Sequence, residues 1–116
     1  MYIYDKAHEL AKAIKECDEY KALLAAGKQL EKDESSKKMV QDFLLKQVEM
    51  EYTKMMGKEI EESKLKEQQD LAAIVQSNTQ AREYLQAYYK WQQYAGDIYK
   101  IVGDAMQEGM SILDKK

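Results

Sequence analysis

No proline occurs in the 116 residues. Proline breaks helix interiors and punctuates loops, so its absence, beside only five glycines, favours long helices with short connections. Cys17 is the single cysteine, which excludes an intrachain disulfide and a cysteine-rich zinc or iron–sulfur site within one chain. The thiol reads as a small half-buried group, with a reactive or intermolecular thiol as the rival. Val, Ile and Thr are sparse and never alternate with polar residues over several positions, so no strand is expected. No apolar run approaches the roughly 20 residues needed to cross a bilayer. The opening MYIYDKAHEL lacks a basic segment followed by an apolar one, so no signal peptide and no membrane insertion are expected, and a cytoplasmic location follows by default. Net charge is −3, from 18 basic and 21 acidic residues with the signs interspersed. That argues against a broad positive field for a phosphate backbone.

The usual equipment of an active site is missing too. His8 is the only histidine and stands beside Glu9 on an early helix turn, where solvation is the expected state. Asp5, His8 and Glu9 share an edge but fall short of a convergent metal-ligand set. Glu59, Glu61 and Glu62 cluster in a loop and read as solvated charge rather than a paired acid and base. There is no phosphate-binding glycine loop, nucleophile elbow or HExxH. No catalytic residue, metal ligand or cofactor site is assigned, and the chain is expected not to be an enzyme.

What is present is helical periodicity. Ala7, Leu10, Ala11 and Ile14 form one face of a first helix starting near Tyr4 or Asp5, with Asp5 as its cap. The pattern weakens at Cys17-Asp18-Glu19, predicting a kink or short break with Asp18 as a new cap. A second segment carries Tyr20, Leu23, Leu24, Gly27 and Leu30. Asp33-Glu34-Ser35-Ser36 is the next start signal. Met39, Val40, Phe43, Leu44, Val48, Tyr52 and Met55 then mark a helix of about six turns, ended by Gly57. GKEIEES is the clearest loop, pinned by Ile60. A shorter helix is expected from about Glu62 to Gln76, with Leu65, Ala72 and Val75 on one side and Leu71 and Ile74 beside them. A break follows at Ser77-Asn78-Thr79, where Ser77 and Gln80 have capping-box spacing. Met39, Met50, Met55, Met56, Met106 and Met110 read as core fillers. A docking patch is the competing reading for Met55, Met56, Met106 and Met110, near helix ends.

The richest segment runs from Ala81 to Leu113, with Asp114-Lys115-Lys116 expected to fray. One stripe reads Ala81, Tyr84, Tyr88, Trp91, Ala95, Ile98, Val102, Ala105. A second reads Leu85, Tyr89, Gln92, Tyr99, Met106, Leu113. Spacings of three, four and seven put each set on one helix face. One stripe closes an internal core, and two adjacent stripes ask for another covering surface. Length adds to this: about 34 residues make a rod of roughly 50 Å, against a diameter of about 35 Å for a compact chain this long. Five of the nine tyrosines and the only Trp lie here, and such rings suit half-wet interfaces. Gly96 and Gly103 are seven apart, so a close helix approach there competes with simple tolerance. The expected architecture is all-α: a single all-helical domain over 1–116, an elongated helical bundle of about four to five helices with a long C-terminal helix. Tyr84, Tyr88, Trp91, Ala95, Ile98 and Val102 are the candidate surface for self-association or a partner.

The order of features resembles the YlbF/YmcA family of small bacterial proteins, which includes the YheA group. The most specific pieces are Tyr4-Asp5, Asp18-Glu19-Tyr20, Asp33-Glu34 with Phe43, and Met56-Gly57-Lys58-Glu59-Ile60, and the likeness covers nearly the whole chain. The resemblance implies an all-helical bundle that self-associates as a homodimer or higher, found mainly in bacteria of the Bacillus type. It implies a regulatory adaptor for competence, sporulation and biofilm formation, bound to other regulatory proteins of a family complex linked to mRNA processing by a membrane-attached endoribonuclease. Some members carry C-terminal cysteines associated with an iron–sulfur cluster, but the tail DAMQEGMSILDKK has none, so no cofactor is carried over. The YheA group has no assigned process, which leaves a paralogue of unassigned process as one alternative. An RNA-binding accessory factor, stacking bases on exposed aromatics, is the other, although no direct nucleic-acid contact is expected from the charge balance.

Overall fold

In a computed structural model, which describes residues 1–113, five helices follow one another: α1 (Tyr2–Glu16), α2 (Asp18–Glu31), α3 (Glu34–Met55), α4 (Glu62–Ser77) and α5 (Thr79–Met110), then a 3₁₀ turn over Ser111–Leu113. No strand occurs among the described residues. The expected fraying of residues 114–116 lies outside them.

Local chemistry sets most boundaries. Asp33 begins α3 as expected: its carboxylate accepts from the backbone N–H of Ser35 at 3.1 Å and of Ser36 at 3.4 Å. The Ser36 hydroxyl, then the Ser36 backbone, hold that carboxyl below its ordinary pKa. Gly57 closes the same helix at φ +76°, a left-handed conformation that a Cβ disfavours. Three caps differ from the sequence reading. α1 starts at Tyr2 without a side-chain cap, and Asp5 lies inside its first turn, where a carboxylate still complements the helix dipole. The expected break falls at Cys17, whose extended backbone (ψ 148°) ends α1 and begins α2, but Cys17 rather than Asp18 holds the cap position, with Asp18 and Glu19 in the first turn. Asn78, not Ser77, caps α5, accepting from the Ala81 N–H at 3.0 Å. Ser77 instead donates to the Ile74 carbonyl.

The Asn78 cap reaches across the fold. Its amide donates to the Ser36 hydroxyl at 2.8 Å, and that hydroxyl donates to Asp33 at 2.8 Å. Ser36 is fully buried, so this chain satisfies a buried polar group while joining the starts of α3 and α5. Asn78→Ala removes a cap and leaves the Ser36 oxygen short of a donor. A loss of about 1–3 kcal/mol is expected in a urea melt; no change would mean that the network carries no stability.

The core gathers at this shared end. Leu30 from α2, Val40 from α3, Val75 from α4, and Ala81 and Leu85 from α5 are its buried hydrophobic residues, flanked by Met39, Phe43, Leu44 and Tyr84. α2 packs antiparallel on the first half of α5, with Tyr20 against Trp91 and Gly27 against Tyr84. α3 and α4 form a hairpin clamped where Gln68 donates to the Phe43 carbonyl at 3.1 Å. The far ends of the hairpin and of α5 run out from this core. The molecule is a slab, 47 × 39 × 16 Å, with a radius of gyration of 18.3 Å. A compact chain of this length has about 13 Å, so the molecule is extended, as expected.

Candidate interaction surfaces

The six residues singled out on α5 separate into two groups. Tyr84, Tyr88 and Trp91 are half-buried and spend much of their ring surface inside the chain. Trp91 meets Tyr20 edge-on with centroids 5.1 Å apart, and Tyr84 stacks on Tyr88 at 6.0 Å. A Cβ on Gly27 would stand 3.7 Å from the Tyr84 ring, ordinary van der Waals contact, so an alanine would fit there. Burial first, then Tyr88, raises the Tyr84 phenol above its usual pKa. Ala95 and Ile98 are half-buried at the point where α2 gives out, and Val102 is exposed.

Beyond that point the stripe continues with nothing over it. Every residue from Tyr99 to Met110 is exposed, with Tyr99 at 76% and Ile101 at 70%. The cause lies at Cys17. Had α2 continued straight backwards, α1 would cover the distal half of α5. The extended residue turns α1 away instead, and no Cα of α1 comes within 8 Å of α5. The Cys17 thiol is tied locally, donating to the Ile14 carbonyl. α1 consequently buries none of its residues, although Ala7, Leu10, Ala11 and Ile14 line one face. An open groove remains between the two helices, lined by Ala11, Ile14, Tyr20, Trp91, Ala95 and Ile98. Gly96 and Gly103 have no heavy atom within 4 Å of a Cβ position, so no helix of the same chain approaches closely there.

A second uncovered face was not legible as such. Met39, Val40, Phe43 and Leu44 face the core, but Val48, Tyr52 and Met55, read as their continuation, point the other way. With Leu45 they make an outward stripe, exposed by 62–85%. The spacing of three, four and three from Leu45 to Met55 was its available signal. The methionines divide similarly: Met39 and Met50 are half-buried, whereas Met55, Met56, Met106 and Met110 are exposed. On the flank of α3 facing α5, the Tyr89 hydroxyl donates to Gln47 at 2.8 Å. Burial raises the Tyr89 phenol's pKa, and this bond to Gln47 opposes the rise.

Polar surfaces offer less. His8, Glu59, Glu61 and Glu62 are exposed, and no group of three His, Cys, Asp or Glu side chains is placed to hold a metal among the described residues. A crevice beneath the loop after α3 carries Glu49, Glu59, Glu61 and Glu67 on its walls, all exposed to water. No helix among the described residues is long and apolar enough to cross a membrane.

Comparison with known proteins places these surfaces in context. The family model described as "Control of competence regulator ComK, YlbF/YmcA" matches residues 3–107. A UPF0342 protein of Caldicellulosiruptor bescii is 39% identical over 105 residues, covering 90% of this chain and 88% of its own. One from Caldicellulosiruptor saccharolyticus is 38% identical over 117 residues and 98% of both chains. A third, from Desulfitobacterium hafniense, is 36% identical over 106 residues, covering 91% and 86%. A five-helix chain matched from its first turn to the exposed end of its last helix thus belongs to the YlbF/YmcA family.

Proposed function

We propose that this protein is a non-enzymatic helical adaptor of the cytoplasm that self-associates and binds other proteins. The observation that carries the reading is the surface the chain leaves uncovered. Its accessible area is 9612 Å². A compact protein of this mass exposes about 6,500 Å², which leaves roughly 3,000 Å² in excess. Stable interfaces bury about 1,200–2,000 Å² over both partners, and obligate ones more. Two copies together carry roughly 6,000 Å² of excess, more than enough for a permanent contact between them.

The apolar faces of α1 and distal α5 are where that contact belongs. Two amphipathic helices from each copy, joined about a two-fold axis, make a four-helix arrangement that neither chain closes alone. Ala95, Ile98 and Val102 sit at its centre with Leu10 and Ile14, and Tyr84, Tyr88 and Trp91 contribute their outer edges. Membership of a family described by control of a competence regulator supports a regulatory role exercised through protein contacts. The process itself, whether competence, sporulation, biofilm formation or another linked to mRNA processing, is a matter of the partner. Direct nucleic-acid contact is not part of the reading, given the interspersed charges.

Light scattering of the purified protein at micromolar concentration tests it. A mass at least twice the 13.5 kDa of the chain is expected. A monomer at every concentration removes the proposal.

A further inference from the structure

The outward stripe of α3 has no place in the two-copy contact just described, which draws on α1 and α5. Leu45, Val48, Tyr52 and Met55 follow the alternating three-four spacing of a coiled-coil seam. We propose that this stripe docks an amphipathic helix of another protein, one whose apolar edge is flanked by Lys or Arg.

Charge chooses the occupant. Asp42, Glu49 and Glu51 are exposed and occupy the positions bordering the seam. Lys46 and Lys54, the lysines within the same turns, lie about 140° round the helix from its centre. Lys38 stands two turns before Leu45, beyond the end of the seam. Carboxylates thus border the apolar strip on both sides. A second copy of the same stripe is a poor occupant. Paired parallel and in register, Glu51 would face Met56 and Glu49 would face Leu44, so neither carboxylate meets a cation; paired antiparallel, Glu49 would face Glu49 and Glu51 would face Glu51. Like charges across a seam select against a pairing, and opposite charges select for one. A basic-flanked helix satisfies all three carboxylates while covering the seam. Met55, adaptable in shape, suits a surface that receives a foreign helix.

The probe is a synthetic helical peptide with Leu at its seam positions and Lys at the flanking ones, beside a control with Glu in place of Lys. Fluorescence anisotropy with the full-length protein should show the Lys-flanked peptide binding at least about tenfold more tightly, with the difference shrinking as salt rises. Val48→Glu should abolish binding without altering the mass of the protein, since Val48 is exposed and its change leaves the core intact. The double change Glu49→Lys and Glu51→Lys should reverse the preference towards the Glu-flanked peptide. Equal binding of both peptides, or of neither, overturns the proposal. A fall in mass on Val48→Glu overturns it too, because the stripe would then be a contact between copies. If the unaltered protein is monomeric but discriminates the peptides, the docking site stands and the self-association fails.

Discussion

Val102→Glu is expected to reduce the protein to its 13.5 kDa monomer and to cost helical circular dichroism, because α1 and distal α5 lose their cover. In the single chain Val102 is exposed, and a surface substitution there would be worth no more than about 0.5 kcal/mol. In the four-helix contact the same carboxylate is buried opposite apolar faces without a counter-charge, which costs about 3–5 kcal/mol. That is about two to three and a half orders of magnitude in the dissociation constant at about 1.4 kcal/mol per decade. Two-fold symmetry then applies the penalty twice in each dimer. Ile98→Glu is less clean as a test, since Ile98 is already half-buried inside the chain and its change also disturbs the groove against α1. Gln107→Glu is the matched control: it adds the same charge on the same exposed length of α5, about 140° round from Val102. Light scattering should show Val102→Glu as a monomer and Gln107→Glu as wild type. Equal masses for the two would place the contact elsewhere.

The helices themselves were legible in the sequence because their signals are local. Apolar spacing, Asp33 ahead of α3 and Gly57 behind it depend on neighbours within a few residues, and the structure returns these boundaries closely. The errors share a different origin. Ser77, Asn78 and Thr79 are three adjacent polar residues, any of which suits a cap. Asn78 caps because its other amide atom is held by Ser36, 42 positions away, a link absent from any local window. On α3, Phe43 to Val48 is a step of five residues, a rotation of about 500° that lands some 140° from the starting face. Running the two into one apolar list concealed a face that leaves the core. On α5, the point where the stripe stops being internal is fixed by the direction that α1 takes after Cys17. No periodicity within α5 records that direction. The candidate surface was therefore legible as a stripe, but its division into inner and outer parts was not.

Leu85→Ala brings out the other consequence of so thin a molecule. Leu85 is buried with Leu30, Val40, Val75 and Ala81 where α2, α3, α4 and α5 meet, and no second buried cluster backs it up among the described residues. Truncating a buried leucine to alanine costs about 2–5 kcal/mol, the transfer of the lost methyl and methylene groups plus the void left behind. Single domains have only about 5–15 kcal/mol of net stability, and a chain with five buried hydrophobic residues among those described belongs at the low end unless its copies stabilise one another. Loss of cooperative unfolding, or a midpoint lowered by a large fraction of its value, is therefore the expected urea melt. Leu45→Ala removes the same atoms from a side chain that is already mostly solvated, and it should move the midpoint by no more than about 0.5 kcal/mol. The two substitutions share their chemistry and differ in place, so their contrast isolates burial. If self-association supplies much of the stability, raising the protein concentration should recover part of the Leu85→Ala loss by mass action. A Leu85→Ala melt within 1 kcal/mol of wild type at every concentration would mean that the shared end of the helices is not what holds the chain together.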